Sequence, residues 1–179
     1  ANHFLIIKDV APTSNMRAAA EYDAAAALIK LQDWEMSARV LEDFRVDNPD
    51  HQLNADATKQ LAFVYHENGQ VERAAREHER ISIEATDPDL KREALLTAGE
   101  LYDKVDVVED AIRIYEIYVA EYPFPMDIAM ETRSRLAEIF KLRLDYNRYY
   151  EELGDIIAAD REAGSERTDR SRYLASKAA

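Results

Sequence analysis

Small and branched apolar pairs recur at a fixed interval along the chain. Ala24-Ala25, Leu61-Ala62, Ala98-Gly99, Leu136-Ala137 and Leu174-Ala175 follow one another at spacings of 37, 37, 38 and 38 residues. A period of roughly 20 to 50 residues constrains a fold more tightly than local propensity, because each unit is then one supersecondary element that buries its apolar face only against its neighbours.

The repetition extends beyond the pairs. Three residues after each of the first four comes a large apolar residue, Leu28, Tyr65, Tyr102 and Phe140. Nine further on stand Ser37, Ala74, Ala111 and Tyr149, then Leu41, His78, Tyr115 and Leu153, then Phe44, Ile81, Tyr118 and Ile156. Prolines follow at Pro49, Pro88 and Pro123. With only 4 Gly and 5 Pro among 179 residues, and Ala, Leu, Glu and Arg abundant, the periodic segments read as helices.

This pattern resembles the tetratricopeptide (TPR) repeat, whose Leu-Gly, Tyr, Ala, Phe and Pro positions mark a helix-turn-helix of roughly 34 residues. The third unit matches best, through Gly99, Tyr102, Ala111, Tyr115 and Pro123; the fourth departs most, with Tyr149 where a small residue is expected. The resemblance implies an all-α fold, a right-handed α-solenoid of antiparallel helix pairs, with about four full repeats and a partial repeat at each end. The repeats fall at 18–51, 55–88, 92–125 and 130–163 of a single TPR-like solenoid spanning 1–179. Helices of a pair approach to about 8 Å only where a side chain is small, so Gly99 and Ala111 are expected at the closest contact, and Tyr149 is expected to widen the packing or shift the register.

Phe4, Ile7 and Pro12 repeat the spacing of Tyr115, Tyr118 and Pro123. Residues 1–12 therefore read as the second helix of an earlier repeat, and residues 165–179 as the first helix of a later one, begun by Ser165 as its cap. Phe4, Ile7, Tyr173 and Leu174 are expected to lack burying neighbours, which points to a piece of a longer solenoid and to self-association through its ends. Asn48-Pro49 and Asp87-Pro88 suit turns or helix starts, and Asn68-Gly69 a helix end.

Charge and residue types exclude several functions. The net charge is −13, from 36 acidic and 23 basic residues, and no basic stripe is segregated from it, which argues against nucleic-acid partners. The longest apolar run, Ala24 to Ile29, is far below the ~18 residues of a membrane span. There is no cysteine, hence no disulfide and no thiolate metal site. His3, His51, His66 and His78 form no zinc or di-iron spacing; His78 reads as partly buried packing and His66 as groove surface. Glu151 and Glu152 diverge on their helix, so no catalytic, cofactor or metal site is expected and the chain is read as a non-enzyme.

The resemblance further implies that first helices line a concave groove for a partner peptide or protein. Matching offsets place Lys59, Gln60, Phe63, His66, Leu96, Glu100, Arg135 and Glu138 in that groove. A carboxylate clamp of the kind some family members use on chaperone tails is absent, since its positions hold Tyr22, Ala26, Gln60, Glu93 and Thr97. The expected function is a non-catalytic protein-interaction scaffold, part of a longer TPR protein. The alternatives are a structural, oligomerising repeat segment and a regulatory module of an enzyme or transcription factor outside this sequence. The Tyr-rich segment ending in AEYP (Ala120 to Pro123) resembles bacterial cell-envelope members of the family, which implies a periplasmic setting, with the cytoplasm as the alternative.

Overall fold

The computed structural model describes residues 17–179; the expected helix over 1–12, with Phe4, Ile7 and Pro12, lies outside the described residues. Among the described residues there are nine α-helices and no strand. Contacts divide the chain into two compact units, residues 1–105 and 106–179.

The first unit contains α1 (Arg17–Lys30), α2 (Trp34–Asp47), α3 (Asn54–Glu67), α4 (Val71–Glu84) and α5 (Pro88–Lys104). Each packs on the next in sequence, so the amphipathic faces are buried locally, as a repeat requires. The repeated positions of the sequence become the core: Ala24, Ala25, Leu28, Leu41 and Phe44 in the first pair, Leu61, Ala62, Tyr65, Ala74 and Ile81 in the second. Ser37, a small polar residue in an apolar slot, is fully buried and donates its hydroxyl to the Asp33 carbonyl at 2.6 Å, which satisfies it within its own helix.

The second unit contains α6 (Val108–Glu121), α7 (Met126–Leu142), α8 (Tyr146–Glu162), a 3₁₀ turn (Gly164–Glu166) and α9 (Asp169–Ala178). Here α7 packs on α6 and α8, and α9 packs on both α7 and α8. Met130, Ile156, Leu174 and Ala175 form one buried cluster. Leu174 is therefore not an orphan of a missing neighbour, because the preceding helix pair covers it; Tyr173 on the other side of α9 is 55% exposed. Ser165 does not start α9 either. It lies in the 3₁₀ turn, and Thr168 caps the helix through a reciprocal bond with Ser171.

Tyr149 is only half-buried, tilted against Tyr150 at 5.0 Å with the Lys141 ammonium over its ring. The stripe that α8 buries is Glu152, Ile156 and Asp160; Glu152 and Ile156 stand where Glu77 and Ile81 are buried in α4, so Tyr149 in the small slot leaves that part of the stripe in register. Those carboxylates are compensated. Arg133 donates to Glu152 at 2.7 Å, and Asp160 receives the Ser171 hydroxyl at 2.8 Å and the Arg167 guanidinium.

The turns inside the helix pairs repeat more faithfully than their residues do. Gln32, Gly69, Asp106 and Leu144 each take the left-handed conformation, with φ of 58°, 71°, 59° and 61°. In three of them the next residue donates back to the large repeat residue of the preceding helix: Asp33 to Leu28, Gln70 to Tyr65 and Asp145 to Phe140, at 2.8–3.1 Å. Only Gly69 reaches this conformation without steric cost. Between pairs, Asp87 caps α5 by accepting from the Asp89 amide at 3.0 Å, with Pro88 in its first turn. After Asn48-Pro49 the chain is tied down by the Asn54 side chain, which donates to the carbonyls of both residues.

Candidate functional site

In the first unit, α3 and α5 stand on either side of α4, and the space between them is incompletely filled. The buried cluster at its base is Ala62, Ile81 and Ala94, two of whose three side chains are single methyl groups. Alanines favour the helix but are too short to meet across the gap. The result is an open cleft of about 470 Å³. On α3 its wall is Lys59, Phe63 and His66, spaced i, i+4, i+7; on α5 it is Leu90, Glu93, Ala94, Thr97 and Leu101, also a single helical stripe. His78 and Ile81 of α4 form the floor.

Phe63 is 48% exposed, a large cost for an aromatic ring in water unless something covers it. One edge is held by Trp34, whose ring meets it at 5.9 Å and 83°. Its other side faces a second, smaller pocket of about 360 Å³, lined by Ala26, Ile29 and Lys30 of α1 and Lys59, Gln60 and Phe63 of α3. Lys59 and Phe63 thus form a ridge common to both cavities. Below it, Gln60 Nε2 lies 2.5 Å from the Tyr22 hydroxyl, while its buried Oε1 has no hydrogen-bond partner. Burial, with lesser contributions from Asp56 and Asp23, raises the Tyr22 phenol above its ordinary value and keeps it protonated.

His78 is half-buried. Burial first, and the nearby His66 second, hold its imidazole below the ordinary histidine value, against an opposing pull from Glu77. His66 itself is exposed beside Glu67, at 3.4 Å. Among the described residues no group of three or more His, Asp or Glu could hold a metal ion. No helix among them is long and apolar enough to cross a membrane.

Of the residues expected in the groove, the structure brings Lys59, Phe63 and His66 into the larger cleft and Lys59, Gln60 and Phe63 into the smaller. Leu96 and Glu100 lie on α5 but are not among the residues that line the larger cleft, whose α5 wall is Leu90, Glu93, Ala94, Thr97 and Leu101. Arg135 and Glu138 belong to α7 in the second unit and pair with each other at 3.1 Å. Sequence reasoning missed His78, Ile81, Leu90 and Ala94. Ile81 reads as a repeat position and His78 as packing, Leu90 and Ala94 carry no repeat signal, and a floor contributed by a second helix gives no local signal.

On the opposite side, between α2 and α4, lies a further open pocket of about 410 Å³, lined mainly by Glu42, Arg45, Arg73, Arg76 and Glu77 and crossed by ion pairs. Arg45 makes a two-pronged pair with Glu77, and Glu42 receives both the Tyr65 hydroxyl and Arg73, whose guanidinium lies 4.2 Å from the Tyr65 ring centre.

No protein-family model matches the chain, and no curated protein matches it in sequence. Among solved structures it is similar to one from Podosopora anserina, described by its nearly identical TPR-like repeats. For a point variant of that protein the TM-score is 0.51 at 18% identity, over 93% of this chain and 85% of that one. A second structure of the same protein gives 0.49 at 19% identity, over 93% and 87%. The chain thus has the all-α, TPR-like repeat fold.

Proposed function

We propose that this chain is a non-catalytic protein-interaction scaffold that seats a partner peptide or protein along the α3–α5 cleft of its first unit. The observation that carries this reading is the cleft's construction, a Phe63 ring half in solvent above a floor of Ala62, Ile81 and Ala94. Exposed apolar surface set in a concavity is retained where something binds it. TPR-like repeats in general mediate protein interactions, which supports the same reading. The repeat units are those at 18–51, 55–88, 92–125 and 130–163, and Arg135 and Glu138 would serve an equivalent surface on α7. The AEYP ending of α6 supports a cell-envelope setting.

A photo-crosslinking residue placed at Thr97 in the cleft, and in a second variant at Arg76 on the ion-paired side, tests the proposal. In extract of the source organism, the Thr97 variant should capture a discrete partner that the Arg76 variant does not. Capture from Arg76 alone would overturn it.

A further inference from the structure

Resting on the groove reading above, we infer that the smaller pocket, between α1 and α3, recognises an acidic partner segment. One large apolar side chain of that segment enters between Ile29 and Phe63, and a neighbouring carboxylate meets Lys30 and Lys59. The argument starts from charge. Acidic residues outnumber basic ones 36 to 23 in this chain, yet among the described residues the charged groups lining this pocket are two ammonium groups and no carboxylate. The larger cleft differs, because there Lys59 and His66 face Glu93.

Both cations are available. Lys30 is exposed and forms no ion pair among the described residues. Lys59 touches Asp56 at 3.4 Å, but the two side chains are 48% and 54% exposed, and such a solvated pair is weak enough to be shared with an incoming carboxylate. The stems of the two lysines extend the apolar walls of Ala26, Ile29 and Phe63 while their heads stay at the rim. An occupant must therefore be apolar at the bottom and anionic at the top. The unpartnered Gln60 Oε1 adds an acceptor on the same wall, suited to a backbone N–H of an extended segment once the side chain turns towards it. A basic or uniformly apolar segment satisfies none of these groups.

The test is selection of binders from a random dodecapeptide display library on the full chain, followed by solution affinities of the selected peptides. Peptides carrying Asp or Glu next to a Leu, Ile, Met or aromatic residue should be enriched. Replacing both lysines by Glu should weaken them about tenfold or more, and by Gln somewhat less, with the salt dependence of binding lost. Melting curves of the Gln variant confirm that the fold is intact. Peptides that bind, are lost on Phe63→Ala, but show no acidic preference and ignore the lysine changes would overturn this inference and leave the groove reading standing. Binding indifferent to Phe63→Ala and to both lysines, or no enrichment at all, would overturn both.

Discussion

Trp34 meets Phe63 edge to face, with ring centres 5.9 Å apart and planes at 83°. One ring is the sole tryptophan of the chain, and the other is the ridge between the two pockets. The pair therefore connects a spectroscopic reporter directly to the candidate binding surface.

Phe63→Ala should shift Trp34 emission to the red, since water takes the place of the ring. Its effect on stability should stay near 1 kcal/mol, the usual worth of an aromatic pair at a half-exposed site. Emission spectra and thermal melts measure the two. An unchanged emission maximum would mean that Phe63 does not cover the indole in solution.

Leu144 adopts φ 61° in a turn where Gly69, at the same repeat position, adopts 71°. A left-handed conformation costs a residue with a Cβ about 1–2 kcal/mol, so Leu144→Gly should raise the melting temperature. Gly69→Ala should lower it although its new methyl would meet nothing within 4 Å, because the penalty is conformational rather than steric crowding by neighbours. Opposite signs of the two shifts are required.

Arg45 and Glu77 bridge α2 and α4 with side chains only 15% and 10% exposed. Removing Arg45 alone, as Arg45→Met, should cost about 1–3 kcal/mol, because the buried Glu77 carboxylate loses its two-pronged partner and keeps only Arg80 at 3.8 Å. The double change Arg45→Met with Glu77→Leu should recover most of that loss. Denaturant unfolding of the three proteins measures it, and a double variant no better than the single would refute the pairing.

His78 titrates below the ordinary histidine value in the folded chain, held there by burial and by His66, with Glu77 pulling the other way; Lys59 and Glu93 line the same cleft. The unfolded chain then takes up the proton first as pH falls. Stability should be fully present above about pH 6.5, the ordinary value, and should decline as the pH drops from there towards the depressed folded value. His78→Gln should flatten this slope in melts recorded between pH 8 and 5, and a slope that survives the substitution assigns it elsewhere.

The helical repeat was legible because it rests on many residues at once. Ala24, Leu61, Ala98 and Leu136 are all fully buried, or nearly so, and no single exception disturbs a period of that kind. Features that rest on one residue were read less well. Gln32 and Leu144 carry no left-handed signature and Asp106 only a weak one, although all three adopt the conformation that Gly69 announces openly. Ser165 reads as a cap because serine favours that position, whereas the working cap, Thr168, pairs with a serine in place of the more familiar Glu or Gln. The cleft was half visible. Its α3 wall follows from periodicity, but its depth comes from Ala62 and Ala94 being short on two different helices, a relation between segments that no local pattern states.

Phe63 and Lys59 belong to both pockets, which makes the two cavities thermodynamically linked. The Phe63 ring is a wall of both, so any substitution that reshapes it alters the two sites together. A segment filling both at once gains by avidity, whereas two separate small ligands would be coupled through the shared ring, each changing the other's affinity by the same factor.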